Sequence, residues 1–351
     1  MTSDKLQNTS IYKSIFNYGI SAALAVIFLY IAFHNVNLGE VIDLVSGASI
    51  FWIIIFTVSV FMAHIIRAIR WKVILHTLKP DASLKNLFGA LMIGYGVNCV
   101  TPKLGEITRA VFLGKWENLS RSSMLGTVIV ERVIDVISLG LAVLVSAFLW
   151  RESLYQILPW LETTLYLGGV MMLGIVIMIY MTVKFKEKFY GTIIKLFSKI
   201  SEKWAGKLGY IFEMLTEGFA SLKGAKNYLL TIFLTIIILL VYALSSYIGF
   251  FTLYMNEIKH VTFEMGWVLM SIAAIGVVIP TPGATGSYHA IAKSTLVLLF
   301  GFGETISAAY AFLTHFISYF LFIFTALFVF FVFNKNNNNI FKVAESDMKN
   351  S

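Results

Sequence analysis

The nineteen residues from Ile15 to Phe33, IFNYGISAALAVIFLYIAF, contain no charge. At about 1.5 Å per residue, a helix of that length crosses a hydrocarbon layer of about 30 Å. In such a layer each backbone amide must be satisfied within the protein, which leaves a helix as the conformation for this run. The run is too long for a signal-peptide core and is not followed by a clear small-residue cleavage site, so it reads as a first membrane span. With 58% hydrophobic and 13% charged residues among 351, and a mean hydropathy of +0.81, the rest of the chain points the same way.

Six stretches are long enough to span: residues 15–33, 48–66, 123–150, 164–183, 228–254 and 304–333. Two further apolar stretches, 86–101 and 265–279, are shorter and stop at prolines and glycines, which suits re-entrant hairpins better than full crossings. The expected fold is an all-α polytopic membrane protein with six full spans and two re-entrant hairpins, 86–115 and 265–300.

Basic residues set the expected orientation. Residues 67–85 carry Arg67, Arg70, Lys72, Lys79 and Lys85, and residues 184–226 carry nine lysines against four glutamates. Both are therefore expected on the cytoplasmic side, with 34–47, 151–163 and 255–264 outside. Both termini, 1–14 and the polar tail 334–351, then lie inside, in a bacterial or archaeal cell membrane. The same threading makes residues 15–163 and 164–333 two halves of opposite topology. Thr101-Pro102 with Gly105 in the first hairpin is echoed by Thr281-Pro282 with Gly286 in the second. Interrupted segments in matching positions of inverted halves point to a transporter's binding site near the midplane.

Residues 184–226 alternate lysines with apolar residues at spacings of three and four, an amphipathic pattern expected to lie on anionic inner-leaflet lipids. The net charge of +8 is accordingly assigned to the membrane surface and not to nucleic acid. Cys99 is the only cysteine, which rules out an intramolecular disulfide and a thiolate metal cluster.

The chemistry concentrates in charges that a bilayer penalises. Glu131, Arg132 and Asp135 lie in VIVERVIDVISLG, where a charge at the bilayer centre costs about 2.5–3.5 kcal/mol on insertion scales. Glu131 and Asp135 share a helical face, and Arg132 can reach Asp135. The alternatives are an interfacial salt bridge that pins the helix and a functional cluster beside TPKLGEITRA, which supplies Lys103, Glu106 and Arg109. In the second hairpin His289 and Lys293 are four residues apart. An anion, phosphate above all, is expected between these and Arg109 or Arg132, helped by amides at the broken helix ends. His64 and His315 read as packing or hydrogen-bonding residues.

An intramembrane hydrolase using Ser287 is disfavoured, because Ser287 and His289 point about 200° apart on a helix. No phosphate loop, nucleotide fingerprint or metal-spaced set occurs, so neither catalysis nor a cofactor is expected.

Together, TPKLGEITRA, ERVID and PTPGATGSYHA resemble the signature segments of the lysylphosphatidylglycerol synthase transmembrane region family. This is the flippase portion of bacterial multiple peptide resistance factors, also found as stand-alone proteins. The resemblance runs from about residue 15 to 333. It implies movement of an anionic, aminoacylated or polyprenyl-linked lipid between leaflets without ATP hydrolysis by this chain. By position, it assigns Pro102, Gly105, Glu106 and Arg109 to the first motif, Glu131, Arg132 and Asp135 to the second, and Pro280, Pro282, Gly283 and Gly286 to the third. The family often has glycine where Ala284 stands and an acidic residue where His289 stands. Only about 18 residues follow the last span, so synthase activity is not expected to accompany the resemblance. A non-transporting subunit that supports a lipid-modifying or glycosyl-transferring enzyme is the alternative function, and a homo-oligomer fits either.

Overall fold

The computed structural model describes residues 3–151, 161–185, 187–199, 201–202, 204–206, 208–209, 212, 219, 222 and 224–334. Every regular element among them is helical. The long helices are α1 (Ser3–Phe33), α3 (Ile50–Leu75), α6 (Arg121–Leu149), α7 (Leu161–Phe185), α9 (Ala225–Thr252) and α13 (Glu304–Asn334). Between them lie α2 (Leu38–Ser46), α4 (Leu84–Val100), α5 (Leu104–Glu117), α8 (Glu187–Ser198), α10 (Met255–Ile258), α11 (Phe263–Val278) and α12 (Ser287–Leu298), with a 3₁₀ turn at Pro282–Ala284. A helix stands at each of the six expected spans. Three pass as crossings on length and apolarity alone: Ile50–Leu75, Ala225–Thr252 and Glu304–Phe333. The chain is thus an all-helical membrane protein with several apolar candidate spans.

Two expectations are corrected. Residues 34–47 are not a loop: Asn37 accepts from the Gly39 amide at 3.0 Å and starts α2, whose Val41 is buried, and which meets the end of α1 at 84°. Nor does α3 end at residue 66. It continues to Leu75, and Arg67 and Arg70 on that extension are buried because two carboxylates on α6 neutralise them. Of the amphipathic segment, α8 and scattered residues after it are described. Residues 152–160, within the expected outside segment 151–163, and the tail after residue 334 lie outside the described residues.

Two apolar cores form, one per half. Trp71, Ile74, Leu75, Leu87, Leu91, Leu113, Met124 and Val128 fill the space among α3, α4, α5 and α6. Phe250, Met265, Val268, Leu269, Leu296, Phe300 and Tyr310 fill that among α9, α11, α12 and α13. The seam between α3 and α9 is closed by Phe56, Val60 and Ile248. Exchanging α3, α4, α5 and α6 with α9, α11, α12 and α13 preserves the pattern of packed pairs: α4–α5 corresponds to α11–α12, α5–α6 to α12–α13, and α4–α13 to α11–α6. By contrast, Phe316, Phe320, Phe324 and Phe328 form an uncovered row along one side of α13, apolar surface that water would not tolerate and lipid does.

α13 measures the depth of everything else. At its start Glu304 pairs with Lys293 of α12. Near its middle His315 donates to the Gly283 carbonyl at 2.8 Å and Tyr319 donates to the Cys99 carbonyl at 2.9 Å. Toward its end Phe330 and Phe333 meet Phe112 and Trp116 of α5. The hairpins α4–α5 and α11–α12 therefore approach from opposite ends of α13, and their tips meet beside its midpoint. At that meeting a Cβ on Gly283 would lie 3.2 Å from the Cys99 Cα, and Gly283 has φ 56°.

Candidate functional site

The main cluster of charge is built on α3, α5 and α6. Arg67 and Arg70 sit three apart on α3, and Glu131 and Asp135 four apart on α6, so each helix offers two like charges on one face. The faces interlock. Arg67 donates to Glu131 at 2.8 Å and to Asp135 at 2.6 Å, while Arg70 reaches Glu131 at 3.1 Å and Asp135 at 2.5 Å. Arg70 also donates to the Thr235 hydroxyl of α9 at 3.1 Å, which ties the second half to the cluster.

From α5, Arg109 donates to the other oxygen of Glu131 at 2.6 Å and lies 3.0 Å from Glu106 in an ion pair. Its guanidinium stacks over Trp71, 4.9 Å from the ring centroid, and the indole in turn donates to Thr127 at 3.1 Å. Arg132 completes the set, bonding Glu106 at 2.9 Å and Asp135 at 3.4 Å. The first tip holds Arg109 in place by close backbone contact. Gly105 donates its amide to Asn98 at 2.8 Å, and a Cβ at Gly105 would stand only 2.0 Å from the Gly94 carbonyl. No larger residue lets α5 approach α4 this closely.

Four guanidinium groups thus face three carboxylates, one positive charge in excess. Among the described residues, the Nε donors of Arg67, Arg70, Arg109 and Arg132 have no hydrogen-bond acceptor. Burial is graded: the Arg70 and Glu131 side chains are 0% exposed, whereas Glu106 and Arg132 are 27% and 37% exposed. One edge of the cluster therefore opens outward while its base is sealed. Lys103 is exposed at the first tip, with φ 68°.

The second hairpin is held by neutral groups. Ser287 donates to the Gly276 carbonyl at 2.7 Å and pairs with Thr281 at 2.9 Å. That hydroxyl therefore serves to close the hairpin. The Nδ1 of His289 accepts from the Gly286 amide at 3.1 Å, and its ring lies 4.5 Å from that of His315. Lys293 is buried, bonded to Glu304 at 2.5 Å and to the His34 carbonyl at 3.4 Å. Gly286 has φ 85° where the chain turns into α12. Pro280 and Pro282 flank Thr281 in the segment between α11 and the glycine turn, as Pro102 follows Thr101 at the other tip.

Of the residues singled out in the sequence, Glu106, Arg109, Glu131, Arg132 and Asp135 come together. His289 and Lys293 do not join them. Lys293 pairs with Glu304 at the start of α13, whereas Phe112, about one turn beyond Arg109 on α5, meets Phe330 toward its end, so the anion expected between Lys293 and Arg109 is corrected to two separate groups of charge. Arg67 and Arg70, which the sequence places in the basic segment 67–85 beyond the span, also belong to this cluster. Their signal was present nonetheless, since two arginines one turn apart at the end of an apolar run complement Glu131 and Asp135 one turn apart on another.

A family profile described as "Lysylphosphatidylglycerol synthase TM region" matches residues 18–326. Curated relatives include a UPF0104 membrane protein of Methanocaldococcus jannaschii, 26% identical over 221 residues, covering 58% of this chain and 61% of the relative. A UPF0104 membrane protein of Pyrococcus horikoshii is 27% identical over 190 residues, covering 52% and 54%. A third, from Methanothermobacter thermautotrophicus, is 30% identical over 100 residues, covering 28% and 30%. The matched part of the chain thus spans less than two thirds of each of these relatives. No solved structure matches.

Proposed function

The chain belongs to the lysylphosphatidylglycerol synthase TM region family, and on that premise we propose that it moves a phosphate-bearing lipid between the leaflets of a prokaryotic cell membrane. The observation that carries this reading is the cluster of four arginines against three carboxylates. A cluster built only to hold helices together has no need of surplus charge. Burying an ion costs several kcal/mol unless it is compensated, so a largely buried network with one more cation than anion favours whatever anion can reach its open edge. A phosphodiester offers that charge and acceptors for the free Nε donors. It can enter at the exposed edge formed by Arg132 and Glu106.

The two hairpins supply the route. In this reading they are re-entrant, α4–α5 from the cytoplasmic side and α11–α12 from outside, and their touching tips form a thin barrier between the faces. Non-helical backbone at that depth is tolerated where it is covered by protein or lines a wet cavity. The headgroup passes along the arginines while the acyl chains stay in lipid beside exposed apolar helix faces. The chain performs no covalent chemistry in this scheme: Ser287 is spent on closing its own hairpin, and the carboxylates of the cluster are engaged by arginines.

The test is reconstitution. Liposomes containing the purified protein and a trace of headgroup-labelled phosphatidylglycerol are expected to lose label asymmetry several times faster than protein-free liposomes. Equal rates for phosphatidylglycerol, aminoacylated phosphatidylglycerol and polyprenyl phosphate, all matching the protein-free control, sink the proposal and favour a non-transporting subunit.

A further inference from the structure

The ion pair on the far side of the tip contact lies in a cavity of its own. A space of about 250 Å³ opens between the end of α1, the middle of α12 and the start of α13, lined by Ile31, His34, Asn35, Lys293, Ser294 and Glu304 among others. Its polar complement is unequal. The Lys293 ammonium, the Asn35 amide, the Ser294 hydroxyl and the His34 ring can all donate, and the anionic side chain in the lining is Glu304. The first turn of α13 adds the positive end of a helix dipole.

The two members of the ion pair are not held alike. The Lys293 side chain is 8% exposed and rises from the interior of α12, while Glu304, at the first residue of α13, is 52% exposed. Glu304 can swing away into solvent. Lys293 can only stay.

We infer that this cavity is an anion-binding station for a phosphate ester, in which the incoming phosphate takes Lys293 from Glu304. The exchange leaves the charge at Lys293 balanced, so it avoids the cost of an unpaired buried ammonium. Val297 and Leu298 at the rim carry the apolar side of the cavity toward the outer surface of α12, where the stem of a lipid can lie while its headgroup occupies the polar end. The station lies at the opposite end of α13 from the arginine cluster, so it rests on the lipid-translocation reading for its purpose and supplies that reading with a receiving site. The same phosphate chemistry fits a lipid headgroup and free inorganic phosphate.

Maleimide protection at the cavity wall tests this without any transport. Ser294→Cys, in a Cys99→Ser background, places one thiol in the cavity for reaction with uncharged N-ethylmaleimide in nanodiscs. Phosphatidylglycerol nanodiscs are expected to slow the reaction roughly tenfold relative to phosphatidylcholine nanodiscs, the protection left by about 90% occupancy. Lys293→Gln should remove that difference, and Glu304→Gln, which keeps Lys293 and deletes its competitor, should give the same protection at a lower fraction of phosphatidylglycerol. Protection by inorganic phosphate in phosphatidylcholine nanodiscs assigns the station to the free anion. Equal rates in every composition for both the Lys293-containing parent and Glu304→Gln overturn the inference. Because the assay reads occupancy, protection without lipid movement in liposomes removes the transport proposal and leaves this station standing, and movement without protection does the reverse.

Discussion

The two hairpins occupy equivalent places in the packing, yet they are held by different forces. The α4–α5 hairpin is anchored through Arg109 and Glu106 to a network of charges that reaches α3 and α6. The α11–α12 hairpin is closed by Ser287, His289 and His315 on backbone carbonyls and amides and by the Thr281–Ser287 hydroxyl pair, with the Lys293–Glu304 ion pair set apart at the cavity beside the start of α13. A hydrogen bond between neutral groups contributes about 1 kcal/mol and needs no counter-ion, whereas a buried charge commits every neighbour to balance it. The difference teaches that the first hairpin is placed by electrostatics and the second by local geometry. Altering charge should disturb one and leave the other standing.

Glu131→Gln is the severest way to break the comparison. Glu131 takes bonds from Arg67, Arg70 and Arg109, and removing one partner of a buried pair costs about 3–5 kcal/mol. Thermal unfolding in detergent is expected to show that loss. Gly105→Ala follows, because the new methyl must displace the Gly94 carbonyl, and overpacking of this kind costs about 1–3 kcal/mol or somewhat more. It is read by the same unfolding assay and by a fall in the amount of monodisperse protein.

On the second hairpin, Ser287→Ala should cost about 1–3 kcal/mol, the penalty of leaving the buried Thr281 hydroxyl short of a partner. A loss as large as that from Glu131→Gln would end the claim that the hairpins differ in kind. The smallest effect sharpens the comparison. Ala284 has φ 60° at the second tip, a conformation that costs an alanine about 1–2 kcal/mol and glycine little. Ala284→Gly is accordingly expected to raise stability by a few tenths to about 1 kcal/mol, net of the added freedom of the unfolded chain.

Much of this arrangement was legible in the residues themselves. Apolar length located a helix at every expected span, and breakers at Pro102 and Pro282 located both tips. One-turn spacing put Glu131 and Asp135 on one face and brought Arg132 to Asp135, as found at 3.4 Å. Arg67 and Arg70 escaped because a hydropathy boundary cannot distinguish a basic residue leaving the membrane from one that meets a carboxylate inside it. The partnership of Lys293 with Glu304 escaped for a different reason. Eleven residues separate them, across the turn between α12 and α13, and no periodicity within one helix reports where the next helix begins. The neutral lock at Ser287 was invisible because its chief partner is a backbone carbonyl, which every residue possesses.

The central claim is that the surplus positive charge of the arginine cluster is there for a lipid anion, and Arg132→Gln addresses it most directly. Arg132 is the most exposed of the four arginines with side chains in the network, and Arg67, Arg70 and Arg109 keep Glu131 and Asp135 compensated without it. The substitution removes the excess charge and little of the framework. Measured in the same proteoliposomes, the variant is expected to lose at least about 1.4 kcal/mol of transport barrier advantage, a tenfold fall in phosphatidylglycerol translocation, with an unfolding temperature near that of the parent. Translocation at the parental rate by a folded Arg132→Gln protein would contradict the account.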